Sequence, residues 1–123
     1  MANLSNWYES KTAKEKRLID VVSQKMRFVR TEKQYDKFLD VIRQYGIDGD
    51  EQFLGTFFAE YEGTDQAVLG EFVRDWMKLA RGCLPKRILL EQDPVRLWHD
   101  LIQHDFYRLF FNGNTYLFKR HCS

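Results

Sequence analysis

Apolar residues recur at three- and four-residue spacing over most of the first hundred positions and switch to a strand-like texture near the end of the chain. Leu18, Ile19, Val22, Met26 and Val29 mark the apolar side of a helix expected from about Ser10 or Thr12 to Arg30, whose other side is basic. Thr31, followed three residues on by Gln34, is a capping-box pattern, in which side-chain oxygens accept the free N–H groups of a helix start. A second helix is therefore predicted from that cap to Gly46, with Tyr35, Phe38, Leu39, Ile42 and Tyr45 as its buried stripe. The Asp48-Gly49-Asp50 turn opens a third, with Phe53, Leu54, Phe57, Phe58 and Tyr61 on one face and Gly63 as its stop. Thr64 then caps a fourth helix running to Gly82, with Val68, Leu69, Phe72, Val73, Trp76, Leu79 and Ala80 facing inward.

After Gly82 the texture changes. Pro85 suggests a short helical turn through Ile88, Leu89 and Leu90, and Asp93-Pro94 pairs a capping acid with proline at the first helical position. The fifth helix so started carries Leu97, Trp98, Leu101 and Ile102. Asn112-Gly113 between two aromatic runs, 106–111 and 114–119, is a strong hairpin signal. With those two residues as the turn, Tyr107, Leu109, Phe111, Asn114, Tyr116 and Phe118 share the face expected to pack on the helices. The reading is an α+β fold, mostly helical: four to five packed helices, about 10–104, and a C-terminal β-hairpin, about 106–119. A single domain spanning 1–123 is expected.

Composition agrees with a self-sufficient core, since 123 residues at 44% hydrophobic need neither metal nor disulfide to fold. No run approaches the length of a membrane span and none reads as a signal peptide, so a soluble, cytoplasmic protein is expected. Cys83 and Cys122 match no metal spacing and no redox motif.

Charge changes the picture more. The net +1 hides a basic, acidic, basic sequence: residues 1–30 hold seven bases and three acids, 31–72 three and ten, 73–97 six and three. No Lys or Arg lies between Arg43 and Arg74. The acids there offer a docking surface, for which Asp50, Glu60, Glu62 and Asp65 are the named residues. Lys14, Arg17, Lys25 and Arg30 near the first helix, and Arg74, Lys78, Arg81, Lys86 and Arg87 near the end of the fourth, offer phosphate contacts instead. Trp7 and Tyr8 stand outside any periodic run, as partner anchors or as pins for the N-terminus.

Catalytic and metal-binding patterns are sparse. His99 and His104 are five apart, on different sides of a helix, and match no ligand spacing. His121 reads as part of a solvated tail. Asp48-Gly49-Asp50-Glu51 begins like a calcium loop, but Gln52, Phe53 and Ala59 stand where its further ligands and glycine belong. There is no Gly-rich phosphate loop and no nucleophile elbow. Neither catalysis, a cofactor nor a metal is expected. A small enzyme using His99 or His104 is the least favoured reading.

The order Phe58-Ala59-Glu60-Tyr61-Glu62-Gly63, Glu71-Phe72, Asp93, Trp98-His99-Asp100-Leu101, Asp105-Phe106-Tyr107, Asn112-Gly113 and Tyr116-Leu117-Phe118 resembles the last domain of ArdA-type antirestriction proteins over about residues 57–121. The resemblance implies a small protein of phages or mobile elements, usually dimeric, that inhibits type I restriction-modification enzymes by mimicking bent duplex DNA. Arg74, Lys78, Arg81, Lys86, Arg87, Lys119 and Arg120 depart from a duplex mimic, which leaves the acids from Asp48 to Glu71 to carry any mimicry. The leading expectation is a non-enzymatic binding or inhibitory protein docking on a nucleic-acid-handling complex. The alternative is a helical nucleic-acid-binding subunit of a ribonucleoprotein complex. A homodimer is left open, and no membrane partner is expected.

Overall fold

A computed structural model describes residues 5–80, 93–100 and 102–120. They divide into two compact units, the first running to Phe57 and the second beginning at Phe58. The architecture is α+β, with helices accompanying a three-stranded antiparallel sheet.

The first unit contains helices α1 (Ser5–Glu9), α2 (Ala13–Lys25), α3 (Glu32–Arg43) and α4 (Asp50–Thr56). Both α2 and α3 open with a complete capping box, Thr12 with Glu15 and Thr31 with Gln34. Acceptance of the Thr12 backbone and side-chain hydrogen bonds holds the Glu15 carboxyl below the ordinary carboxylate range. Helix α2 stops at Lys25 rather than Arg30, because Met26 turns extended while its N–H still reaches the Val22 carbonyl at 2.9 Å. Met26 and Val29 are buried all the same, so their apolar character serves the crossing to α3 instead of a last helical turn. Helix α3 unwinds after Arg43, and Gly46 takes the left-handed conformation at φ 85°. Tyr45 falls beyond the helix and is 50% exposed, outside the expected stripe, whereas Ile47 is buried.

The largest departure from expectation is residues 57–62. Helix α4 ends at Thr56, and the rest of the expected third helix is strand β1 (Phe57–Glu62). Gly55 stands inside the expected helix and costs about 1 kcal/mol there relative to alanine. Phe57-Phe58-Ala59-Glu60-Tyr61 is rich in side chains that suit a pleated surface, and a neighbouring strand is available to pair with it. The expected helical part, 10–104, is thus interrupted by a strand.

In the second unit the strands run β1, β3 (Asn114–Lys119), β2 (Phe106–Phe111) across the sheet. The hairpin forms as expected, with Phe111 opposite Asn114 and Tyr107 opposite Phe118. Asn112 and Gly113 both have positive φ, 55° and 82°, as the two-residue primed turn requires. Helix α5 (Gln66–Ala80) is capped one residue later than expected: Asp65, not Thr64, accepts the Ala67 and Val68 N–H groups at 3.1 and 3.3 Å. Asp93 does the same for Val95 and Arg96 at 3.1 and 3.3 Å, opening α6 (Pro94–Asp100), which leads toward a 3-10 turn over Ile102–His104. The expected end of α5 at Gly82, the turn at Pro85–Leu90 and the Leu101 position lie outside the described residues. Among the described residues no helix is long and apolar enough to cross a membrane.

The core of this unit joins Val68, Leu69, Phe72 and Val73 of α5, Leu97 and Trp98 of α6, Ile102, Tyr61, Phe106 and Leu117. Phe106 and Leu117 belong to the hairpin face that carries Arg108, so that face meets α5 and α6. On the Tyr107 face, expected to pack, Leu109, Tyr116 and Phe118 are buried, so both faces of the hairpin are covered. Leu79, expected inward, is 76% exposed although it stands two turns beyond the buried Phe72 on the same stripe of α5. Phe72 is the centre of the cluster, with edge-to-face contacts to Phe106, Phe58, Trp98 and Tyr61 at centroid distances of 5.2, 5.3, 5.7 and 6.4 Å. Phe72→Ala is expected to destabilise the chain by about 3–5 kcal/mol and Phe72→Leu by less than about 1.5 kcal/mol. Urea denaturation of both variants measures this, and a loss under about 1 kcal/mol for the alanine variant would contradict Phe72 as the packing centre.

Candidate functional site

The charged residues singled out from the sequence are placed very differently in the two units. In the first, α2 and α4 pack together and bring the basic helix onto the acidic turn. Lys14 Nζ lies 3.3 Å from Asp48 and Arg17 Nε 3.9 Å from Asp50. Both pairs border an open polar cleft of about 630 Å³, lined also by Gly49, Glu51 and Gln52. Two further lysines are engaged nearby, Lys11 with Asp36 at 3.0 Å and Lys16 with Glu9 at 3.3 Å. Exposed pairs of this kind contribute little stability, roughly 0–1 kcal/mol each, but they cancel charge locally. Lys25 and Arg30 are exposed, and Arg30 turns its Nε–H onto the Arg27 carbonyl at 2.7 Å.

Trp7 and Tyr8 act as pins within this unit. The Trp7 indole donates to Asp36 at 3.0 Å, leans on Tyr35 with centroids 5.6 Å apart, and has Lys11 Nζ 5.0 Å from its ring centroid. Tyr8 donates to Asp20 at 3.0 Å. These contacts tie α1 to α3 and α2.

In the second unit the acids cluster where β1 turns into α5. The corner is built by long-range hydrogen bonds: Gly63 N–H donates to Asn114 Oδ1 at 3.1 Å, and the buried Thr115 hydroxyl donates to the Gly63 carbonyl at 2.7 Å. Gly63 itself sits at φ 88°, where a side chain would be strained. Glu60 points back along the sheet and accepts the Tyr116 hydroxyl at 2.9 Å. Asp65 is exposed and spends one oxygen on the α5 cap, while Glu62 and Glu71 are exposed. Among the described residues neither Glu62 nor Glu71 makes an ion pair. Of the four acids named from sequence, Asp50 therefore belongs to the first unit beside Arg17, Glu60 is held by Tyr116, and Glu62 and Asp65 flank one corner.

The second basic group is partly visible. Arg74 and Lys78 are exposed one turn apart on α5, and Arg81, Lys86 and Arg87 lie outside the described residues, as do Cys83, His121 and Cys122. His99 and His104 are both exposed. Among the described residues no three His, Cys, Asp or Glu side chains are grouped to hold a metal.

One residue escaped the sequence reading. Arg108, in the middle of β2, is half-buried with its guanidinium 5.1 Å from the Trp98 ring and 5.6 Å from the Phe110 ring. The available signal was a lone cation inside Phe106-Tyr107-Arg108-Leu109-Phe110-Phe111, flanked by aromatics at every second position on either side.

Two phenols in the second unit give it a pH signature. Burial, reinforced by Asp75, pushes Tyr61 well above its ordinary value, and burial with Glu60 does the same to Tyr116. The Tyr61 hydroxyl donates to Asp75 at 2.7 Å. A group whose folded pKa is raised adds stability that is complete below its unfolded value, here near 10.0, and is lost as pH rises beyond it. The urea midpoint is expected to fall between about pH 9 and pH 11, and the Tyr61→Phe, Tyr116→Phe double variant to flatten that fall. Tyr8 and Tyr35 shift in the same direction, so some fall remains. At neutral pH the double variant loses about 1 kcal/mol per missing donor; an undiminished alkaline fall would contradict the assignment. The chain matches no family model, no curated protein and no solved structure, so geometry and chemistry alone support a functional reading.

Proposed function

We propose that the chain is a non-enzymatic binding protein that docks, in an inhibitory and antirestriction-like manner, on a protein complex handling nucleic acid. The acidic corner of the second unit, Glu62 and Asp65 with Glu71 on α5, is the contact surface. What supports this most is the difference in how the acids are engaged: Asp48 and Asp50 are matched by lysine and arginine of their own unit, whereas Glu62, beside the corner fixed by the Gly63 hydrogen bonds, and Glu71 on α5 are exposed and make no ion pair among the described residues. A rigid display of carboxylates steers encounter with a basic channel and sets orientation, while desolvated apolar contacts contribute most of the affinity. Asp50 and Glu60 leave the contact set in this reading, since Arg17 and Tyr116 already engage them.

The alternative, direct nucleic-acid binding, draws on Lys25, Arg30, Arg74 and Lys78, which are exposed and make no ion pair among the described residues. The two readings separate in one experiment. Affinity capture from a nuclease-treated lysate of a host organism, followed by titration of the purified captured complex, is expected to give binding that Glu62→Lys, Glu71→Lys weakens at least tenfold, about 1.4 kcal/mol or more. Those residues cap no helix, so the variant's stability is expected to change by less than about 0.5 kcal/mol. Unchanged affinity removes the acidic corner. Anisotropy titrations against duplex DNA, single-stranded DNA and RNA at low and near-physiological salt are expected to show no salt-steep binding; a steep slope that Lys25→Ala, Arg30→Ala, Arg74→Ala, Lys78→Ala flattens would establish the alternative.

A further inference from the structure

Strand β2 is an edge of the sheet, since β3 lies between it and β1. Which of its backbone groups face outward follows from the turn. In a two-residue hairpin the flanking residues, here Phe111 and Asn114, form a hydrogen-bonded pair, and such pairs alternate along the ladder. Leu109 and Tyr107 therefore bond to β3, and the Arg120 N–H to Asp105 carbonyl bond at 2.8 Å continues the same parity. Phe106, Arg108 and Phe110 direct their N–H and C=O groups away from β3. Phe106 is buried, but Phe110 is 52% exposed, so the edge opens at Arg108 and Phe110. Among the described residues no backbone hydrogen bond reaches the outward groups of these two.

Among the described residues this edge has few of the devices that blunt unpaired strands. It carries no proline, no lysine and no bulge, and its register with β3 is unbroken over six residue pairs. Its one cation, Arg108, has its guanidinium within 5.1 Å of the Trp98 ring centroid and 5.6 Å of that of Phe110, and makes no ion pair among the described residues. A half-buried guanidinium fixed by stacking loses little further freedom when a carboxylate reaches it.

We propose that β2 is a docking edge for an extended segment of a partner protein, which adds antiparallel as a fourth strand with an acidic side chain opposite Arg108 and an apolar one opposite Phe110. Residues facing each other in a hydrogen-bonded antiparallel pair lie about 5.5 Å apart at Cα, within reach of an arginine side chain. Because the strand runs antiparallel, the apolar residue precedes the acid by two positions, giving an apolar-x-acid pattern on one face. Main-chain bonds would supply affinity and the two side chains specificity. A second copy of this chain fits the edge less well: β2 brings only Arg108 as a charge, so self-pairing sets two guanidiniums near one another and no carboxylate against either. The proposal does not depend on the acidic corner, and its test uses different residues.

The probe is the fluorescein-labelled peptide TVFTEVT, titrated into the full chain, with amide chemical shifts of the protein followed in parallel. Binding is expected, with the largest shifts at Arg108 and Phe110. At least tenfold weakening is expected when the peptide glutamate becomes lysine, and when protein Arg108→Ala or Arg108→Gln is used. N-methylation of the peptide phenylalanine or glutamate nitrogen, which would face β2, is expected to abolish binding, while N-methylation of the threonine between them leaves it intact. The peptide variants do not touch the fold, so a misfolded Arg108 variant leaves the test whole. No shifts at Arg108 and Phe110 at millimolar peptide would overturn the proposal. So would equal binding of the lysine peptide or of the N-methylated ones, or a concentration-dependent dimer that Phe110→Lys dissolves.

Discussion

When residues 57–62 leave the helix before them and pair with β3, they join parts of the chain about fifty positions apart, and the second unit takes its form from that pairing. It sets Phe58 and Tyr61 against Phe72, brings Glu60 to Tyr116, and anchors Gly63 to the first residues of β3. An entropic cost of loop closure attaches to such a contact, and it grows only slowly with loop length. The aromatic cluster around Phe72 offsets it. Helix α5, the hairpin and α6 then have a common surface to pack on.

The features legible in the sequence are those decided locally. Thr31 with Gln34, Asp93 with Pro94 and Asn112 with Gly113 each specify a backbone conformation within four residues, and each appears where expected. Strand β1 was hidden because Phe57 and Tyr61 satisfy a helical spacing and a strand spacing alike, and only the availability of β3 decides between them. Gly55, in the last turn of α4, was the local clue against a longer helix. Packing of the Arg108 face was illegible for a similar reason: both faces of the hairpin carry aromatics, and which residues meet α5 and α6 is fixed by the position of Phe106 and Leu117 in the folded unit.

The site residues divide along the same line. Glu62 and Asp65 remain exposed as their sequence context suggests. Asp50 and Glu60 look identical to them in sequence, but a base on α2 and a phenol on β3 stand beside them in the folded chain. The basic, acidic, basic layout of the sequence therefore overstates the polarity of the first unit's surface, where Lys14 and Arg17 of α2 face Asp48 and Asp50. Arg108 was passed over because an arginine on a mixed strand face is ordinary; its setting between two rings is a property of packing.

The placement of β1 also bears on the order in which a growing chain can fold. Helices α2 and α3 of the first unit are started by capping boxes that span three residues, which form early, while β1 waits for a strand synthesised some fifty residues later. Until then its aromatic run is an unpaired template for other chains. Glu60 and Glu62, at alternate positions of that run, place two negative charges on the waiting strand and disfavour stacking with copies of itself. The same carboxylates that later accept a tyrosine or face solvent thus guard the chain during its synthesis.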